Sequence, residues 1–274
     1  PPGALPFRAR VFTLGSHAAR RGRYPSKVAV HQLGAGFGGH LWFAHTRRDT
    51  DLGGKMGVTG TWTLGTTSTS WSRVLVHLPD TGAHTQQAAY KINLGDGTSK
   101  TRYALQRTAK NGWISLGVFK FNGTPSISLS SATKDGRGEE DIAWDAVAIA
   151  PLSAKPAKFV VGLGDSYSSG EGNSDPASGD DYYKETDVNG DLADDMGRNA
   201  CHRSPFAWSR SAVLGDNLGE SIGSRDNRWD TSLDFQFHAC SGAQTENINP
   251  SGVVNAYGEA AAGQYGKMSQ VGEV

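Results

Sequence analysis

The sequence carries no excess of either charge. Its 27 Lys and Arg balance 27 Asp and Glu, and the two signs are interspersed, which argues against a basic face for nucleic acid. No apolar run is long enough to span a bilayer. The opening PPGALPFRAR has neither an initiator methionine nor the apolar stretch of a signal peptide, so the chain is expected to be a processed or excised piece of a longer protein. Cysteine is scarce: Cys201 and Cys240 are the only two, which leaves one bridge or two buried thiols as the alternatives. The eight histidines show no clustered ligand spacing, which argues against zinc, and no cofactor is expected.

Glycine is plentiful, at 36 of 274 residues, and favours turns and short strands over long helices. Residues 1–35 are mixed and basic and read as an arm or the tail of a preceding segment. Over 36–151 short alternating runs recur: MGVTGTWTL, SRVLVHLP, AAYKINL, YALQRT, GWISLGVFKF, PSISLSS and DAVAIAPL. Pro79-Asp80-Thr81-Gly82, Gly95-Asp96-Gly97, Lys110-Asn111-Gly112 and Asn122-Gly123 punctuate them as turns. Strands at this spacing predict an antiparallel β-sandwich. Its tryptophans, Trp42, Trp62, Trp71, Trp113 and Trp144, read either as core or as a surface for stacking sugar rings.

A proline-containing linker over 152–158 precedes a change of texture. FVVGLGDS is a continuous apolar run, the pattern of a parallel strand buried on both faces. PFAWSRSAVLGDNLGES places Phe206, Trp208, Val213, Leu214 and Leu218 at helical spacing, and SLDFQFHACSGAQTENI begins as a second strand. Strand, helix and strand predict an α/β unit over 159–274, with both strand ends at the edge where such folds bind ligands.

Ser166 stands at the first of those ends. A serine hydroxyl is a weak nucleophile without a base and without donors for the developing oxyanion. The position suits that role, but it equally suits the capped start of a helix. GLGDSY is not a dinucleotide fingerprint, because Tyr167 stands at the third glycine position. No Gly-Lys-Ser/Thr of a P-loop follows. Ser168 stands where the nucleophile elbow of α/β-hydrolases requires glycine.

Gly164-Asp165-Ser166-Tyr167 followed by Ser168-Ser169-Gly170-Glu171-Gly172 resembles the first block of the SGNH (GDSL-type) esterases and lipases, in the secreted actinobacterial form. NACHRSPFAW and FHACSGAQT resemble that family's paired cysteine segments. The resemblance, which runs over about 158–274, implies a flavodoxin-like three-layer domain, a Cys201–Cys240 disulfide, Ser166 as nucleophile, and the Gly242 backbone N–H as an oxyanion donor. It implies an ester substrate, either an acyl lipid or an acetylated glycan, and a secreted bacterial enzyme. The family's Gly-x-Asn-Asp and Asp-x-x-His blocks are missing. Asp80 and His84 are four apart rather than three, and His238 lies where the family places no base. This chain is therefore expected to hold a nucleophile without its base. It would be inactive alone or would need a companion fragment that supplies the missing groups. The alternative is a glycan- or partner-binding protein with a vestigial hydrolase portion.

Over about 40–151 the order of strands and turns resembles the golvesin C-terminal-like domain, which implies a carbohydrate-binding-like sandwich. Asp187, Asn189 and Asp191 alternate as at the start of a calcium loop, but Gly190 comes one place early and Arg198 replaces the bidentate Glu. A solvated acidic loop is the plainer reading.

Overall fold

The computed structural model describes residues 11–16, 30–48, 57–106, 111–134, 136, 138, 140–173, 201–216, 218–249 and 268–274. The chain divides into two compact units, the first ending at Ala154 and the second running from Lys155 to Val274.

The first unit is built from strands β1 (Val11–Ser16), β2 (His31–Leu33), β3 (Leu41–His45), β4 (Arg47–Arg48), β5 (Val58–Thr63), β6 (Trp71–Leu78), β7 (Ala88–Asn93), β8 (Ser99–Ala104), β9 (Gly112–Lys120), β10 (Ser126–Ser130), β11 (Ala132–Thr133), β12 (Asp141–Trp144) and β13 (Val147–Leu152). One sheet runs β1-β5-β10-β7-β8, a second β13-β6-β9 and a third β12-β3-β2; β11 and β4 form a short parallel pair. All pairings in the three larger sheets are antiparallel. β1 lies within the stretch read from sequence as an arm, yet it pairs along its whole length with β5.

Period-two burial explains the layering. In β5, Val58, Gly60 and Trp62 are buried and the threonines between them are less so; β10 and β7 alternate likewise. Their inward residues, including Trp62, Ile127, Leu129, Tyr90 and Ile92, join Val74, Val76, Leu78, Leu116, Val147 and Ile149 in one apolar cluster. Two of the five tryptophans considered for a sugar-stacking surface, Trp62 and Trp144, are in this core. Each spends its indole N–H on a backbone carbonyl, Trp62 on Asp145 at 3.1 Å and Trp144 on Leu129 at 2.8 Å, as buried indoles require.

One buried amide inside the sandwich, that of Gln106, is fully engaged. Gln106 donates to Tyr90 Oη and to the Ala143 carbonyl, both at 2.9 Å, and accepts from the Ala143 N–H at 2.8 Å. Burial raises the Tyr90 phenol well above its ordinary value. At one end of the sandwich the β7–β8 and β9–β10 turns meet through Gly95 and Gly123. Both have positive φ, and a Cβ on Gly95 would lie 2.6 Å from the Gly123 carbonyl carbon.

The second unit pairs β14 (Lys158–Gly162) with β15 (Leu233–Phe237) in parallel. Its described residues hold five short helices: α1 (Ser166–Ser169), α2 (Trp208–Ser211), α3 (Ile222–Asn227), α4 (Thr245–Ile248) and α5 (Gln270–Glu273). Two expectations fail here. The helix expected across Phe206–Leu218 is only the four residues of α2. Ala212 turns extended, Val213 bridges to Ser221, and Val213 and Leu218 are exposed. The reason is polar: Asp216 leaves the helical path to meet the Arg225 guanidinium at 2.6 Å, and Arg225 is fully buried. β14 is also not buried on both faces, because β15 is its one partner among the described residues and Phe159 is 59% exposed.

Candidate functional site

β14 and β15 are parallel, so their C-terminal ends fall at one edge, and the loop after each carries the residues singled out in the sequence. After β14, Ser166 is the first residue of α1, half-buried. Asp165 caps the helix; its carboxylate accepts from the N–H groups of Tyr167 at 3.1 Å and Ser168 at 3.4 Å. The Ser169 hydroxyl donates to the Ser166 carbonyl at 2.9 Å. Gly170 closes the turn with φ +88, and a Cβ there would lie 2.9 Å from Ala207.

The peptide before Asp165 is held from three sides. Gly164 N–H donates to Gln270 Oε1 at 2.8 Å, and its carbonyl accepts from Gln270 Nε2 at 2.7 Å and from Cys240 N–H at 3.0 Å. One buried amide thus satisfies both ends of a residue 106 positions away.

After β15, His238 and Ala239 donate their N–H groups to the Gly162 carbonyl. Cys240 is disulfide-bonded to Cys201. Gly242 follows with φ +74. The Ser241 N–H donates to the Cys201 carbonyl at 3.0 Å and the Ser241 hydroxyl to the Glu171 carboxylate. The other Glu171 oxygen lies 3.2 Å from His202 Nδ1. Glu171 itself follows α1 and donates its N–H to the Ser166 carbonyl. The loops bearing Ser166, Gly242 and the cysteine pair are therefore tied into one assembly.

His238 is spent on structure. It is buried, with Nδ1 2.6 Å from the buried Glu273 carboxylate, while Arg203 donates to the Ala239 carbonyl at 2.8 Å and the His238 carbonyl at 3.2 Å. Among the described residues no imidazole is hydrogen-bonded to the Ser166 hydroxyl. Asp187, Asn189 and Asp191 lie outside the described residues. No cluster of three or more His, Cys, Asp or Glu among the described residues is arranged to hold a metal ion, and no described helix is long and apolar enough to cross a membrane.

Sequence reasoning missed Gln270, because its role depends on a contact between distant segments. It also missed the Arg225 cluster. There the hydrogen bond from Arg225 holds the Asp216 carboxyl below its ordinary value. At Asp230 burial acts in the raising direction, but hydrogen bonds from Ser232 and Arg225 outweigh it.

The fold thus defines a β-sandwich unit followed by a smaller unit with a parallel strand pair and a serine loop. Residues 45–151 match the Golvesin C-terminal domain family, in agreement with the resemblance read from the strands and turns of the sandwich. No curated protein matches the chain. Among solved structures, a Paenibacillus xanthan lyase is 17% identical over 52% of this chain, with a TM-score of 0.33. The chain spans 13% of that lyase's length. The family 32 CBM from C. perfringens NanJ, solved with galactose, is 11% identical over 51% of this chain and 92% of its own, with a TM-score of 0.28. A family two carbohydrate esterase from Cellvibrio japonicus is 10% identical over 87% of this chain and 55% of its own, with a TM-score of 0.23. At these scores the spatial overlap is slight, and the sandwich rests on its strand pairing and on the family match.

Proposed function

We propose that this is a secreted bacterial glycan-binding protein whose β-sandwich attaches the chain to polysaccharide. The observation that carries this reading is the match of residues 45–151, which hold β4 to β12 and most of β13, to the Golvesin C-terminal domain. Retention of the full chain on insoluble polysaccharide, with serum albumin as the unretained control, tests it. Equal behaviour of the two proteins would sink the reading.

A second reading concerns the other unit and is favoured by a separate observation. Ser166 and Gly242 follow the C-terminal ends of two parallel strands, and the loops that carry them are tied by the Cys201–Cys240 disulfide and the Glu171 carboxylate. This supports an SGNH-type α/β unit in which the Ser166 hydroxyl attacks an ester carbonyl while the N–H groups of Ser166 and Gly242 receive the oxyanion. An acetylated glycan held by the sandwich is the substrate that unites the two readings. The proton of Ser166 needs a base from groups other than those that the described residues place near it, so the chain alone is expected to turn over ester slowly or not at all. Hydrolysis of p-nitrophenyl acetate by the chain and by Ser166→Ala tests this; equal rates above the buffer rate would remove Ser166 from any hydrolysis seen.

A further inference from the structure

We propose that the outer face of the β12-β3-β2 sheet binds a neutral sugar residue through His31, Phe43, His45, His84 and Asp141. The proposal rests on the reading of the sandwich as a glycan-attachment unit, and it says where and how the unit binds.

The topology brings these residues together. On β3, Leu41, Phe43 and His45 share one face, opposite the face on which Ala44 joins the main core. Across the sheet, His31 pairs with Phe43 on one side, and Asp141 pairs with His45 on the other. The turn after β6 completes the group: the N–H groups of His84 and Thr85 donate to the Asp141 carbonyl at 2.8 and 3.0 Å, so His84 is held beside the Asp141 side chain. Leu41, Ala83 and Ala143 form a small apolar cluster beneath, packed by Leu33 and Phe43. This makes the platform rigid.

The chemistry is that of an acceptor surface beside an apolar plane. His45 Nδ1 lies 2.8 Å from one Asp141 oxygen, and His84 Nδ1 lies 3.5 Å from the other, at the outer limit of a hydrogen bond. A neutral ring with its proton on Nδ1 would turn that proton toward the carboxylate and present Nε2 as an acceptor. Both rings are 47% exposed, so water and ligand reach them. The hydrogen bond from His84, helped by His45, holds the Asp141 carboxyl below its ordinary value, so it too accepts only. Two imidazole acceptors and one carboxylate call for a ligand rich in hydroxyl donors. His31 stacks on Phe43 with ring centroids 5.1 Å apart and planes at 29°, and the exposed imidazole offers a flat face for the C–H side of a pyranose ring. The negative charge of Asp141 disfavours uronates and other anionic sugars. The imidazoles spend Nδ1 on the carboxylate instead of converging on a common point, in keeping with the lack of a metal cluster among the described residues.

The test is co-sedimentation of the full chain with insoluble xylan, mannan and chitin, and migration in gels containing polygalacturonate. The expected result is retention on at least one neutral polysaccharide and none on polygalacturonate. The double variant His31→Ala/Asp141→Asn should lose at least tenfold in affinity, and His84→Ala several-fold, with unchanged near-UV circular dichroism. Should the double variant lose its near-UV signal, His31→Ala alone, at an exposed position of the edge strand, decides the matter by the same criterion. Retention of the wild type with no loss in the variants overturns this site but leaves the binding reading standing. Preference for polygalacturonate overturns the neutral ligand. No retention on any of the three neutral polysaccharides overturns the binding reading and this site together.

Discussion

The sandwich buries one continuous apolar cluster that reaches from Ala44 to Ile149 and draws on all three larger sheets. Among the described residues of the second unit the apolar cluster is Ile222, Leu233 and Phe235, packed by Val160, Ala212, Leu214 and Phe237. That unit is held instead by connections between particular atoms: the Cys201–Cys240 disulfide, the buried Arg225 between Asp216 and Asp230, the Arg203 fork on two carbonyls, and the Gln270 amide on Gly164. A small core leaves a unit marginal unless staples supplement it. The difference has a functional side. Apolar packing is non-directional and tolerates drift in the loops above it, whereas atom-to-atom ties fix loops. The serine loop sits where the ties are densest.

If the sandwich depends on its core, Trp144→Ala should remove about 3–5 kcal/mol of its stability, counting the cavity and the orphaned Leu129 carbonyl. The loss should appear in urea unfolding followed by tryptophan fluorescence, while hydrogen exchange in the second unit stays as it was. If the second unit depends on staples, Cys201→Ala/Cys240→Ala should cost it about 2–4 kcal/mol, since the bridge closes a loop with a sequence separation of 39. Dithiothreitol should then weaken the wild-type second unit and spare the sandwich; equal sensitivity of the two units would erase the contrast.

Gln270→Ala should cost about 1–3 kcal/mol, because it leaves the Gly164 N–H without its amide partner while Cys240 still serves the carbonyl. Faster amide exchange confined to the segment around 162–170 is the expected sign, and Gln270→Glu, which keeps the acceptor, should recover part of the protection.

The smallest effect is acid sensitivity. Asp216 and Asp230 titrate below their ordinary value of 3.8 in the folded chain. The unfolded chain therefore binds more protons in that window. The stabilisation is fully present above 3.8 and is lost as pH falls through the lower folded values. Asp230→Asn should reduce this dependence in the second unit, leaving the Asp216 share, and an unchanged acid midpoint would show that the Arg225 cluster does not control it.

Much of the sandwich was legible because its strands alternate and its turns carry Asp-Gly and Asn-Gly: β5, β7, β9, β10 and β13 fall inside the runs read from sequence, and β6 begins one residue before its run. The β2-β3-β12 sheet was not, since its strands span only three to five residues and β2 and β3 are flanked by glycines, too short for a period to register. The false helix over 206–218 shows how tertiary demands override local pattern. Its apolar spacing was correct for a helix, but the chain is diverted at Ala212 and Asp216 by Ile222 and Arg225, a short way further on. At the serine loop, residue types and motif were enough to mark Ser166, Gly242 and the cysteine pair. The ties from Gln270, Glu171 and Arg203 were invisible because hydrogen bonds between separate segments leave no signature in residue spacing.

The paired turns at Gly95 and Gly123 have a consequence for how mutational data on this protein should be read. In a saturation screen scored by polysaccharide retention, every side chain at either position would drive backbone into backbone, and both sites would register as indispensable. Neither has a side chain with which to recognise a ligand. A map that ranks positions by intolerance alone would place a false binding hotspot at that end of the sandwich, and only a fold-sensitive readout run in parallel would separate it from the surface that touches sugar.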